Sequence, residues 1–187
     1  FSPWAYFWYA TLPFTTVLPA VLSTKQWLQS ANWIKYCYGD MRPIRFRHPR
    51  KAAVCILLLS AAGLAGIGVW PNFLFPLLWV SPLLILVCLQ TLMKERHIFS
   101  VIAAGDWHGA VAAALAALVC GFFWEMWNYF SLAKWAYSVP LVHRFLIFEM
   151  PLLGYGGYLP FGLECMVIGA MLEKLFNSNH LSGSISN

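Results

Sequence analysis

Hydrophobic residues in this chain come in long runs, separated by short gaps that carry prolines or polar residues. A bilayer core of about 30 Å requires roughly 20 apolar residues of helix, and five stretches meet that length. They are 3–23, 52–70, 73–93, 109–130 and 151–172. The first contains Pro13 and Pro19 and is expected to be kinked. Asp106 stands where it can cap the fourth, and Pro151 suits the first turn of the fifth. The pattern predicts an all-α fold, a polytopic transmembrane helical bundle of about five spans.

Small residues suggest how the spans pack. Gly63, Gly66 and Gly68 in the second, and the alanine run Ala110 to Ala117 in the fourth, permit close backbone approach. The first and third carry prolines and bulky aromatics and are expected at the periphery. No inverted repeat of the transporter kind is evident.

Loop charge sets the orientation. The loop 24–51 holds Lys25, Lys35, Arg42, Arg45, Arg47, Arg50 and Lys51 against Asp40 alone. By the positive-inside rule it is cytoplasmic, which puts the N-terminus outside and the C-terminus inside. The segment 131–150 is then external, yet it is apolar enough to lie in the interface or fold back over the bundle. Residues 1–176 read as one transmembrane domain and 177–187 as a polar, Ser-rich, frayed tail. The chain starts at Phe1 with no basic n-region, so a further span upstream is expected.

Composition agrees: 60% of the residues are hydrophobic and 10% charged, whereas a soluble domain carries about 25% charge. A multi-pass protein of the cell (inner) membrane is the expectation, with the lipid bilayer as its first partner. The net charge of +5 reflects topology, and no aromatic-interleaved basic groove for nucleic acid is seen. Cys37, Cys55, Cys88, Cys120 and Cys165 are scattered without a CxxC pair, which points to small buried hydrophobes.

Candidate chemistry gathers in the last third. A carboxylate in hydrocarbon costs about 2.5–3.5 kcal/mol or more, so intramembrane acids are functional candidates. Glu125, Glu149 and Glu164 lie within or beside apolar runs. Asn128 and Tyr129 follow Glu125 by three and four residues and are expected on its helical face. Glu164 lies fifteen residues beyond Glu149, roughly 20 Å along a helix, unless Gly156, Gly157 and Pro160 break that helix and bring it closer. Three readings compete. The acids pair with Lys134, His143 or Arg144 or with Trp and Tyr donors, or they act as general acid and base on an isoprenoid or lipid. Alternatively they serve a binding site, with Trp124, Trp127 and Tyr155 supplying rings. No metal site is expected, because His143 is the only histidine near the acids and no Glu-x-x-His pair exists. Ser/His/Asp, phosphate-loop and Asp-rich prenyl-diphosphate templates are missing too. Ten tryptophans exceed an interfacial belt and would suit a pocket for a flat or polyene ligand, or a neighbouring subunit.

Four motifs carry a resemblance: Trp124-Glu125-x-Trp127-Asn128-Tyr129, Lys134-Trp135-x-Tyr137-x-x-Pro140, Phe148-Glu149-Met150-Pro151-Leu152-Leu153-Gly154-Tyr155 and Pro160-Phe161-x-Leu163-Glu164-Cys165. This quarter of the chain resembles a family of prokaryotic polytopic membrane proteins to which no activity is assigned, so the resemblance implies a fold and no mechanism. A looser analogy is to membrane carotenoid cyclases, whose Pro-x-Glu-Glu pattern this chain lacks. The expected function is an accessory or scaffold subunit of a larger membrane assembly, redox or photosynthetic, holding a pigment such as a carotenoid, a quinone or a lipid. The alternative is a small intramembrane enzyme using Glu125, Glu149 and Glu164.

Overall fold

The computed structural model describes residues 2–132, 134–137 and 144–183. They are mostly helical, with one two-stranded hairpin. Each of the five apolar stretches contains helix, with bounds moved by local chemistry. Helix α1 (Pro3–Ser30) starts at Ser2, whose hydroxyl accepts from the Ala5 amide at 3.2 Å. It runs unbroken through Pro13 and Pro19 and takes up the start of the expected basic loop. A short α2 (Asn32–Tyr38) follows, and α3 (Pro49–Gly66) opens on a proline, whose missing N–H costs nothing in a first turn.

The third stretch divides. At Phe75 and Pro76, whose ring leaves no amide to donate, it separates into a short α4 (Pro71–Leu74) and α5 (Leu77–Leu92). After α6 (Ile98–Ile102) comes α7 (His108–Tyr129); Trp107 holds its cap position without a side-chain bond, and Asp106, one residue earlier, accepts from the His108 amide at 3.0 Å. The segment after α7 ends in a hairpin of β1 (Leu146–Ile147) and β2 (Met150–Pro151), antiparallel, with Leu146 opposite Pro151.

The fifth stretch differs most from expectation. Pro151 does not start an α-helix; Leu152–Gly157, with three glycines, forms a 3-10 turn, and α8 (Tyr158–Gly183) begins only there. Pro160 falls in the first turn of α8, where no amide is needed, and so does not break it. The helix also carries most of the expected frayed tail as far as Gly183, while 184–187 lie outside the described residues.

Neighbouring helices in the bundle run α3, α5, α8, α7, α1, with α1 also touching α8. Helix α1 is therefore less peripheral than its prolines implied: Val21 is fully buried against α7 and α8, while Trp4 and Trp8 near its start are exposed. Helix α3 packs mainly on α5 and is the outlying one. Helices α3 and α7 are long and apolar enough to cross a membrane, and α5 is a shorter apolar helix.

The α7–α8 seam is closely packed. Ala112, Ala113, Ala116 and Ala117 are fully buried, as the alanine run suggested. A Cβ on Gly162 would collide with the Ala113 carbonyl and lie 2.9 Å from the Ala117 methyl. One on Gly121 would lie 2.5 Å from the Tyr158 ring.

Gly162→Ala should therefore lower the thermal midpoint in detergent, with overpacking of this kind costing about 1–3 kcal/mol. Gly156→Ala, whose Cβ meets nothing within 4 Å, should leave it unchanged. A Gly162→Ala protein as stable as the parent would show that the seam is looser than described.

Candidate functional site

Glu125 is fully buried on α7. A carboxyl in that position needs donors, and two phenols supply them. Tyr158, the first residue of α8, donates to Oε1 at 2.8 Å, and Tyr137, from the segment after α7, donates to the same oxygen at 2.6 Å. No described Lys, Arg or His contacts it, and Oε2 is buried without a partner among the described residues. Hydrogen bonds to a charged group contribute about 1.5–3 kcal/mol each. Two of them are of the order of the cost of enclosing an acid among apolar side chains.

The segment bearing Tyr137 has no regular structure, so something must fix it. Asn128, one turn beyond Glu125, accepts from the Trp135 amide at 2.8 Å and donates to the Trp135 carbonyl at 2.9 Å. This pair of bonds imitates a strand partner and satisfies one residue's backbone in both directions. The Trp135 indole N–H then donates to the Tyr137 oxygen at 2.7 Å. The result is a relay from Trp135 through Tyr137 to Glu125. Burial first, and then the hydrogen bond to Glu125, holds the Tyr137 phenol far above its ordinary value of 10.0.

Nearby, Lys134 and Glu149 form an ion pair at the hairpin turn, and Lys134 also lies 5.1 Å above the Tyr129 ring. Bonding to Glu149 raises the Lys134 ammonium above its usual value, but the pair is exposed and contributes little to stability. Phe148 in that turn has φ 57°, a costly conformation for an aromatic residue. Its ring packs on Phe122 at 5.4 Å and Tyr129 at 5.8 Å, which holds it there.

Beside this network lies a cleft of ≈ 330 Å³. Phe75, Pro76, Trp79 and Val80 form one wall, and Met150, Pro151 and the 3-10 turn form the other. Tyr137 reaches its lining and is thus shared by cleft and carboxyl. Gly156 leaves open space where a side chain would stand, and Gly157 lets the Trp79 ring approach, since an added Cβ would lie 3.4 Å from it.

The expected site residues are only partly brought together. Glu125 and Asn128 belong to one network, as their spacing implied. Tyr129 does not join Glu125; it is half-exposed and stacks on Phe148. Trp124 packs on the Tyr158 ring at 6.2 Å, and buried Tyr155 donates to the Ile147 carbonyl at 3.3 Å. Trp127 and Arg144 are exposed, and His143 lies outside the described residues. Glu149 is occupied by Lys134. Glu164 is partly buried on α8, and neither a hydrogen bond nor an ion pair joins it to Glu125 or Glu149. Among the described residues no three His, Cys, Asp or Glu side chains converge on a common point.

Sequence reasoning missed Tyr137 and Tyr158 as the donors to Glu125. The available signal was chemical: a buried carboxyl calls for O–H donors, and Tyr137 and Tyr158 stand in the segments that follow it. Comparison of the chain with protein-family models, with curated proteins and with solved structures gave no match.

Asn128→Ala should remove both Trp135 bonds, cost about 1–3 kcal/mol and accelerate hydrogen exchange at the Trp135 amide; an unchanged exchange rate would exclude the clamp. A second consequence concerns alkali. The folded protein retains the Tyr137 proton where the unfolded chain releases it. This contribution to stability is therefore intact below about pH 10.0 and declines above it. Tyr137→Phe should flatten that decline in alkaline unfolding followed by phenolate absorbance.

Proposed function

We propose that this chain is a multi-pass protein of the cell membrane, with five spans, its N-terminus outside and its C-terminus inside. In this reading it serves as an accessory or scaffold subunit of a larger membrane assembly and holds an apolar small molecule in the cleft beside Tyr137. The observation that carries the binding reading is the cleft itself, whose walls are aromatic rings, prolines and bare glycine backbone.

Size and polarity narrow the ligand. At ≈ 330 Å³ the cleft is at the small end of ligand sites. It suits a ring system or a length of chain from a pigment, quinone or lipid rather than a whole carotenoid. The Tyr137 proton is committed to Glu125, and one lone pair takes the Trp135 indole N–H. What remains is a single acceptor position. A hydroxylated isoprenoid or quinol therefore suits the cleft better than a molecule whose polar atoms are all carbonyls.

The membrane assignment is supported by the apolar α3 and α7 and by exposed rings such as Phe122, Phe123, Trp127 and Phe130 on α7 and its end. In water such a surface is an association liability; in a bilayer it meets lipid or a partner helix.

A second reading, a small intramembrane enzyme acting on an isoprenoid or lipid, is favoured by one specific feature. The Oε2 atom of Glu125 is buried without a partner among the described residues, and Tyr137 connects that carboxyl to the cleft wall. This is an arrangement in which a carboxyl can exchange a proton with a bound molecule through a phenol.

Purification from native membrane in mild detergent, with mass spectrometry and an absorption spectrum, separates the two. The subunit reading expects stoichiometric partners or a retained lipophilic molecule. Gly156→Leu should reduce its retention several-fold without loss of fold, and Glu125→Gln should retain it. A monodisperse chain that converts a lipid extract, and loses that conversion in Glu125→Gln, would replace the subunit reading with the enzyme.

A further inference from the structure

Segment 39–48 joins α2 to α3 without regular structure, and a linker of that kind ordinarily wanders. Here it is tied to the α6–α7 connection by three hydrogen bonds, and a fourth holds the last residue of α2 to the same connection. The Met41 amide donates to the Gly105 carbonyl at 2.9 Å, and the Trp107 amide donates to the Tyr38 carbonyl at 2.9 Å. The Trp107 indole donates to the Arg42 carbonyl at 3.2 Å, and Arg45 Nε donates to the Ala103 carbonyl at 3.1 Å. Gly105 is required for this contact. Its φ is +95°, and a Cβ there would lie 2.8 Å from the Met41 carbonyl oxygen.

What this fixed segment displays is specific. Arg42, Arg45 and Arg47 are exposed, as are Arg50 and Lys51 in the first turn of α3 that follows, with Asp40 the only acid in the run. Between them Met41, Ile44 and Phe46 are also exposed, at 41%, 49% and 53%. Cations interleaved with bare apolar side chains match the boundary between phosphate headgroups and acyl chains. The segment leads into α3 and lies against the connection that leads into α7, so it stands at one end of both helices that are long enough to cross a membrane.

We propose that residues 41–51 form a built docking site for anionic phospholipid headgroups. The arginines take the phosphates, and Ile44 and Phe46 enter the acyl boundary. The inference rests on the membrane reading given above. It goes further than a charge bias that orients the chain, because it depends on where the cations are held. Surface attraction amounts to roughly fivefold in partition per cation.

The test measures the thermal midpoint of the full chain in dodecyl maltoside with added dioleoyl phosphatidylglycerol, dioleoyl phosphatidylcholine or inorganic phosphate. Phosphatidylglycerol should raise the midpoint, and the other two should not. Arg42→Gln with Arg47→Gln should weaken the apparent phosphatidylglycerol affinity by roughly five- to twenty-five-fold. Two further variants leave net charge unchanged. Gly105→Ala displaces the segment, and Arg45→Lys loses the bond to Ala103 because an ammonium on a flexible stem cannot reproduce the guanidinium Nε geometry. Both should lose selectivity for phosphatidylglycerol over phosphatidylcholine while remaining folded by circular dichroism. Equal responses to the two lipids would overturn the proposal, as would a response reproduced by phosphate. Full selectivity in Arg45→Lys would also overturn it, since bulk charge would then suffice. A chain that stays soluble and monodisperse without detergent would instead sink the membrane reading beneath it.

Discussion

A carboxyl group enclosed by apolar side chains is tolerated only where hydrogen-bond donors are brought to it, and Glu125 imposes that requirement on three parts of the chain. Tyr158 must begin α8 beside α7, Tyr137 must be carried over from the following segment, and Asn128 must hold that segment by its backbone. None of these groups is close to its partner by default. The two phenol bonds together are of the order of the cost of burying the acid. The network is thus near break-even in stability, and its larger effect is to fix the position of each part. The cleft follows from it, because Tyr137 lines the cavity in the conformation that Glu125 and Asn128 hold.

Small residues make this convergence reachable. The Tyr158 ring lies over Gly121, one helical turn before Glu125, so its hydroxyl can reach the carboxyl only because position 121 lacks a side chain. Farther along the seam, Gly162 and the buried alanines set the distance between α7 and α8. The opposite wall of the cleft arises from a different local rule. Pro76 interrupts the third apolar stretch, and glycines turn the start of the fifth into a 3-10 turn. Two helix interruptions facing one another leave a space that two uninterrupted helices would have filled.

Much of this was legible in the order of residues, where local chemistry decides. The five apolar stretches and the Asp106 bond to the first amide of α7 rest on interactions within a few positions, and the run Ala110 to Ala117 marks a face with no bulk to hold a neighbour away. Glu125 and Asn128 share a face because helical geometry requires it. What the chain did not announce were contacts between distant positions. Tyr158 lies 33 residues from Glu125, and nothing in the neighbourhood of either names the other. The same limit explains Tyr129, which has the right spacing for Glu125 but is drawn away by Phe148 and Lys134. It also explains α1, whose prolines suggested an outlying helix while Val21 supplied a contact deep in the bundle. The start of α8 was misjudged because Pro151 is as good a helix opener as any, and only the glycines behind it delay the helix.

Both phenols on Glu125 share one oxygen, yet they belong to elements of very different firmness. Tyr158 sits on a helix packed along its neighbours, whereas Tyr137 sits on a strip of chain fastened at Asn128. If that strip is peeled back, the Tyr137 bond, the two Asn128 bonds and the Lys134–Glu149 pair are lost, but Tyr158 still serves the carboxyl. The acid is therefore never stranded. One side of the acid is thus held by a few removable bonds and the other by the packing of the whole bundle, so the two phenols would part from it one after the other, and not together, as the chain is loosened.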